Sequence, residues 1–369
     1  MKNAVFISGA TGALGSEIVK DAISTTSHDI VCFTHRTGTA RISELIPAQA
    51  RSRVRFVQCD LSNPNSIVSA TQHLTRYENL IGIHCAADIS WSKSHRLIDP
   101  LNIQGTQDFA ELISRLSVQN PKFIFVSTAY VEDGAFRNAY EASKSSAEQI
   151  LKTRFQEKLR LGIVRPSLIV GSSTNGRITR FNGLYPLLRV IALAEVPCVI
   201  AEASYDVDMV PVNFVSDAVF ETIELLEQKN LATARVVSAN KAINVCDLIE
   251  IIRARANEFR RSIGVWEIPK ISVINERQFR FLMDAAGSWN LTARFDLVDR
   301  ISRIMAGYIS HGKSEVQLSQ SNYSKMAPFP QEYLPKVVDF WLRENESRIK
   351  QAPIPSWMVD SEEHLHHAV

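Results

Sequence analysis

Cysteine is sparse and unpatterned in this chain. Five cysteines (Cys32, Cys59, Cys85, Cys198 and Cys246) are scattered through 369 residues without a C-x-x-C pair. An odd, dispersed set excludes a disulfide framework and a cysteine-built zinc site, and leaves small buried hydrophobes. Charge of one sign is lacking too: 41 basic residues face 39 acidic ones, a net of +2. Nucleic acid needs a concentrated basic surface, so it is not an expected partner. No apolar run is long enough to span a bilayer and no secretory leader precedes the first apolar run, so a soluble, cytoplasmic protein is expected. Internal repeats are absent. His364, His366 and His367 lie in a polar tail without an arranged carboxylate or cysteine, and no metal site is expected there.

What is present begins at the N-terminus. The apolar run Ala4-Val5-Phe6-Ile7-Ser8 breaks into Gly9-Ala10-Thr11-Gly12-Ala13-Leu14-Gly15, after which Leu14, Ile18 and Ala22 recur at helical spacing. The pattern predicts strand, glycine-rich turn and helix. Gly9 suits a tight turn, Gly12 lets backbone approach a pyrophosphate, and Gly15 lets helix and strand pack closely. The helix N-terminus adds free N–H donors and partial positive charge.

Further strands are expected at Asp29–Thr34, Val54–Val57, Leu80–His84, Phe123–Val126 and Leu161–Ser167, alternating with helices. After the second strand come His35 and Arg36, with no Asp or Glu. A carboxylate at this point would bind a ribose 2′-hydroxyl, whereas an arginine neutralises a 2′-phosphate, so NADPH is the expected cofactor, with Arg41 either a second contact or surface. Asp60, ending the third strand, suits either an adenine amino group or a turn. The small residues Ala86 and Ala87 after the fourth strand would let a cofactor pass close to the backbone. His84 abuts apolar residues and reads as a packed, hydrogen-bonded histidine. Ser127 and Thr128 end the central fifth strand, where side chains face the ligand crevice of an open α/β sheet. Tyr140 and Lys144 follow, four apart on one helix face. A cation beside the phenol would lower its pKa, as a proton donor near neutrality requires.

Together these residues resemble the extended short-chain dehydrogenase/reductase family. The likeness rests on Gly9, Gly12 and Gly15, Asp60-Leu61, Ala86-Ala87, Asn102 with Gly105-Thr106, Ser127-Thr128, Tyr140 with Lys144, and Leu161–Ser167 with its Arg165-Pro166. It implies an α/β fold: a Rossmann-like doubly wound parallel sheet over residues 1–168, with 205–245 returning to it. A smaller, mostly helical substrate-binding region would take 169–204 and 246–369. Thr128, Tyr140, Lys144 and Asn102 would be catalytic. Thr11, Ala13, Leu14, Leu61, Pro166 and Ser167 would join the glycines, arginines and alanines around the dinucleotide, together with Tyr140 and Lys144.

Within that family the likeness is to the fatty acyl-CoA reductase and thioester reductase branch. It is carried by Val126–Val131, by Ile169-Val170-Gly171 with Thr174–Ile178 and Phe181–Tyr185, and by Val207–Val215, where Asn213 stands for an aspartate. The implied reaction is reduction of an acyl thioester, on coenzyme A or a carrier, to an aldehyde or alcohol. A ketone or aldehyde reductase of secondary metabolism, a nucleotide-sugar epimerase or dehydratase, and an NADPH-sensing protein without chemistry are the alternatives, and a homodimer is allowed. Helices are expected past Ala218 and from Asp247, a late strand at Arg235–Val237, and a helix over Gln331–Glu346 interrupted by Pro335. The Trp266–Tyr308 stretch, rich in aromatics and Leu, is either core or the lining of an acyl channel.

Overall fold

The computed structural model describes residues 3–35, 42–44, 46–119, 121–131, 134, 136–236, 242–287 and 327–355. One parallel sheet holds β1 (Asn3–Ser8), β2 (Asp29–Thr34), β3 (Val54–Gln58), β4 (Asn79–His84), β5 (Lys122–Val126), β6 (Arg160–Pro166) and β7 (Leu231–Val236). Its order is β7-β6-β5-β4-β1-β2-β3. The chain runs outward from β1 to β3, then returns to lay β4 on the other side of β1. That reversal opens a crevice at the carboxyl ends of β1 and β4, the usual ligand position in such sheets.

The central strands are apolar along their middle residues because both faces are covered. Alternation sorts their residues. Phe6, Phe33, Leu80, Phe123, Phe125, Leu161 and Ile163 join one core with Ile67 of α2 (Pro64–Thr71), Phe109, Ile113 and Leu116 of α3 (Gly105–Leu116) and Ala147 and Leu151 of α4 (Ala139–Arg154). Helices α1 (Ala13–Thr25) and α5 (Val212–Leu225) pack on each other on the opposite face, where Ser216 Oγ donates to Asp21 Oδ2 at 2.6 Å. A Cβ on Gly162 would lie 2.5 Å from Ile124 and 2.7 Å from Thr222, so β6 is stripped of a side chain where α5 crosses it.

Among the described residues this sheet unit comprises 3–169, 212–236 and 327, and a second compact unit comprises 170–211, 242–287 and 328–355. The second unit is built on helices Tyr185–Ala192, Val245–Ser262 and Pro330–Glu344. The last of these runs unbroken through Pro335, contrary to the sequence expectation. Pro335 falls early in the helix, and the buried Tyr333, Leu334, Val337, Val338, Trp341 and Leu342 hold both sides of it in place. Two other expected boundaries also move. The helix expected past Ala218 begins at Val212, directly after Pro211, and the late strand begins at Leu231. Among the described residues no helix is long and apolar enough to cross a membrane, and no group of three or more His, Cys, Asp or Glu could hold a metal ion.

Candidate active site

The glycine turn joins β1 to α1 at the edge of the crevice. Gly9 takes φ +67°, and a Cβ on it would lie 2.7 Å from the Ala86 nitrogen. Gly15 is tighter, its Cβ falling 2.2 Å from the Gly9 carbonyl oxygen. Gly12 N–H donates to Gly9 O at 2.8 Å and closes the turn. Gly12 is also the N-cap of α1, with no side-chain cap and no acidic residue in the first helical turn. The helix thus starts without an acidic side chain in its own first turn, behind a loop whose Thr11, Ala13 and Leu14 flank glycines at the tightest approaches. This cradle fits a dinucleotide pyrophosphate.

The neighbouring strand ends contribute unequally. Asp60, after β3, is committed to its own turn: Oδ1 accepts from Ser62 N at 2.9 Å and Ser62 Oγ at 2.6 Å, while Oδ2 lies 3.3 Å from His35 Nε2. The Ser62 hydrogen bond, with His35 beside it, holds that carboxyl below its usual range. Leu61 presents its carbonyl where a Cβ on Gly105 would come within 2.6 Å, so α3 starts hard against this strand end. Ala86 N–H donates to Ser8 Oγ at 3.3 Å, and Ala87 follows it. Pro166 closes β6. Ser167 N–H bonds Val236 O at 3.0 Å, but its hydroxyl is buried with no hydrogen-bond partner among the described residues. Arg36 and Arg41, the expected phosphate ligands, lie outside the described residues.

Lys144 is 2% exposed, and its Nζ donates to Val126 O at 2.7 Å and lies 4.5 Å from the Phe125 ring centroid. This bond pins the Tyr140–Lys144 face of α4 to the end of β5, two residues before Thr128. Thr128 is buried, its Oγ1 accepting from Tyr130 N at 3.5 Å. One turn beyond Lys144, the buried Glu148 receives Arg165 Nε at 2.9 Å and fastens α4 to β6. Burial is the largest single influence on the Glu148 pKa and would raise it, but the Arg165 hydrogen bond and charge, together with Lys152 nearby, outweigh it and keep the carboxyl below its ordinary value. At the start of α4, Asn138 accepts from Glu141 N at 2.9 Å, and Glu141 accepts from Arg137 N at 3.0 Å and Nε at 3.1 Å. The Arg137 guanidinium lies 4.3 Å from the Tyr130 ring centroid. Neither the Glu148–Arg165 clamp nor the Arg137–Glu141 clasp was anticipated, although the i, i+4 spacing of Lys144 and Glu148 places both on one helical face.

The electrostatics differ from the expectation for the phenol. Tyr140 is pushed above its ordinary value, first by burial and then by the Glu141 carboxylate. The ammonium does not counter this, being itself buried and bonded to Val126; burial pulls its pKa down to about 8. The folded value thus lies below the unfolded one of 10.5, so unfolding takes up a proton between these two pH values. Stability gains from this residue as pH rises from about 8 towards 10.5. Relative to Lys144→Met, the wild-type protein should gain on the order of 1–2 kcal/mol of stability between about pH 7.5 and 9.5. Denaturant titrations of both proteins at each pH check this, and a flat difference would contradict it.

Asn102 lies in a π-helical turn, Pro100–Gln104, that leads into α3. Its Oδ1 accepts from Asp88 N at 2.8 Å, and its Nδ2 donates to Asp88 O at 3.0 Å and Ser143 Oγ at 2.9 Å. It therefore meets the Tyr140 helix through Ser143. His84 is fully buried, as its apolar neighbours suggested, and stacks on Phe125 with centroids 6.0 Å apart. Burial, helped by the nearby Lys144 charge, holds it well below the usual histidine pKa and therefore neutral.

The sequence family described as male sterility protein, an NAD-binding family, matches residues 7–136 and 132–219. Over 379 aligned positions the chain is 24% identical to a linear gramicidin synthase of Brevibacillus parabrevis, covering 94% of this chain and 7% of that protein. It is 26% identical over 276 positions to L-2-aminoadipate reductase of Saccharomyces cerevisiae, covering 63% of this chain and 20% of that one. The chain thus spans a small part of the length of these relatives. Its fold is similar to that of the terminal R domain from the myxalamid PKS-NRPS biosynthetic pathway, with a TM-score of 0.67 and 18% identity over 96% of this chain and 93% of that one.

Proposed function

The chain belongs to the male sterility protein family of NAD-binding domains, and from that premise we propose that it is an NADPH-dependent reductase of acyl thioesters. The observation that carries this reading is the bond from Lys144 Nζ to Val126 O, which sets the Tyr140–Lys144 face beside Thr128 at the crevice. The thioester as substrate is supported by the likeness to a gramicidin synthase, to aminoadipate reductase and to a terminal R domain. The preference for NADPH rests on the sequence after β2, where Arg36 follows and no acidic residue stands.

NADPH, when bound, supplies the hydride. The turn from Gly9 through Gly15 would hold its pyrophosphate, and Arg36 with Arg41 would neutralise its 2′-phosphate. Asp60 and Leu61 would border the adenosine end, Ala86 and Ala87 would let the ribose and nicotinamide pass close to the backbone, and Tyr140, Lys144, Pro166 and Ser167 would border the nicotinamide end. Tyr140, protonated in the free protein, donates its phenolic proton to the oxyanion that develops on the substrate carbonyl. Thr128 gives that oxygen a second hydrogen bond, a stabilisation felt most in the transition state. Lys144, anchored to Val126 O, holds the Tyr140 helix at the end of β5 and would meet the nicotinamide ribose, and Asn102 positions the helix through Ser143. Collapse of the hemithioacetal breaks the C–S bond and re-forms C=O: its hydroxyl proton returns to the Tyr140 phenolate, the thiolate leaves and takes up a proton from solvent, and an aldehyde remains. A second reduction gives the alcohol.

Anaerobic NADPH oxidation with acyl-CoA thioesters, matched aldehydes, ketones and nucleotide sugars tests the assignment. One thiol should be released for each aldehyde formed, and NADH should serve at least about tenfold less well, the discrimination expected of one charge-assisted phosphate contact. Turnover of ketones with thioesters inert would move the protein to carbonyl reduction. NADPH binding without oxidation of any panel member would overturn the reductase assignment.

A further inference from the structure

A chain of buried hydrogen bonds runs from the glycine turn to the Tyr140 helix, and His84 is its centre. At one end Ala86 N–H donates to Ser8 Oγ, which lies 2.7 Å from His84 Nδ1. At the other, His84 Nε2 is 3.0 Å from Thr106 Oγ1, and Thr106 donates its own hydroxyl proton to Asn102 O at 2.7 Å. Because that proton is spent, Thr106 can only accept from the imidazole, so Nε2 carries the hydrogen. A neutral ring then leaves Nδ1 as an acceptor for Ser8 O–H. Asn102 Nδ2 continues to Ser143 Oγ at 2.9 Å, and Ser143 Oγ donates to Tyr140 O at 2.7 Å. Ser8, His84, Asn102, Thr106 and Ser143 are each no more than 1% exposed. Burial this deep shields the bonds from solvent competition, and each hydroxyl and ring proton has one acceptor.

Resting on the reductase reading, we propose that His84 is a positioning residue that locks the cofactor turn and the Tyr140 helix into one register. Each half of the ring has its own task. The Nδ1 side fixes Ser8, and through it Gly9 and Ala86; the Nε2 side fixes Thr106, and through it Asn102 and the Tyr140 turn. The stacked phenylalanines hold the ring in plane but cannot set this direction.

The two halves can be cut separately in the full-length chain. His84→Asn keeps an acceptor where Nδ1 lies and removes the donor towards Thr106. His84→Gln keeps a donor reaching Thr106 and removes the acceptor for Ser8, and His84→Phe keeps the ring and removes both. The readouts are hydrogen exchange of the Ala86 and Asp88 amides in the cofactor-free protein, NADPH Kd, and kcat. With His84→Asn, Asp88 should exchange about tenfold faster and kcat should fall about tenfold, the scale of one buried hydrogen bond. Ala86 exchange and NADPH Kd should stay within about threefold. With His84→Gln the pattern should invert, Ala86 exchanging faster and NADPH binding more weakly. His84→Phe should show both losses; should it fail to fold, the Asn and Gln variants decide.

Equal acceleration of Ala86, Asp88 and the Phe109, Phe123 and Phe125 amides in both polar variants would mean that His84 only fills the core, and would overturn the proposal. So would unchanged exchange at both amides. A wild-type protein that binds no NADPH would sink the reductase reading, while the amide pattern would still decide this one.

Discussion

Tyr140→Phe should lower kcat by about 10²–10⁴-fold, the range for losing a positioned proton donor, while NADPH Kd stays within about threefold. The substitution removes one oxygen and keeps the ring, and the backbone carbonyl of Tyr140, which Ser143 Oγ holds at 2.7 Å, is unchanged by it. The helix cap at Asn138 and the Lys144–Val126 bond are likewise untouched. Folding and cofactor binding should therefore survive. Stopped-flow NADPH oxidation, paired with fluorescence titration of NADPH, separates the two effects. Parallel loss of binding and turnover would mean that Tyr140 serves the fold or the cofactor alone. Retained turnover would remove it from the chemistry.

Gly15→Ala should raise NADPH Kd by more than about 100-fold and cost about 1–3 kcal/mol of stability, the scale of overpacking a fitted interior. The added Cβ would sit 2.2 Å from Gly9 O and 2.8 Å from Gly9 C. Both neighbours are backbone, so no rotamer change relieves the clash. Either α1 lifts from β1 or the turn opens, and each moves the N–H groups that face the pyrophosphate. Gly12→Ala provides the contrast, because its Cβ would meet only Gly9 O, at 3.0 Å. That variant should fold nearly as well as wild type and still bind NADPH poorly, its methyl group standing where the cofactor must approach. Calorimetric titration with NADPH and thermal unfolding of both variants check the pair. Near-wild-type affinity in Gly15→Ala would mean that the turn is not the cofactor cradle.

The strands were legible because a sheet covered on both faces demands unbroken apolar runs, and β1, β2 and β4 supply them between turn residues. The glycine turn was legible because its three glycines answer to distances, most clearly at Gly15. The Tyr140–Lys144 face followed from helical periodicity alone. Less could be read where the deciding partner is remote. Ser8 and His84 stand 76 positions apart, and nothing local to either announces the other. The depressed Lys144 and raised Tyr140 pKa values depend on burial that only the packed α4 creates. Pro335 misled because its helix is held by buried neighbours rather than by propensity. The helix at Val212 misled because its opening, Val212-Asn213-Phe214-Val215, mixes apolar, polar and β-branched residues in a way that reads equally well as strand.

In the proposed reaction hydride passes from NADPH to a thioester carbonyl carbon. Single-turnover reduction of an acyl-CoA with NADPH deuterated at the transferring position, followed by mass spectrometry of the trapped product, tests it most directly. The expected product is an aldehyde with one deuterium on its carbonyl carbon and one equivalent of free thiol, or an alcohol with two deuteriums on that carbon after a second reduction. Deuterium appearing only in reduced ketones, or remaining wholly on the nucleotide while the thioester stays intact, would contradict it.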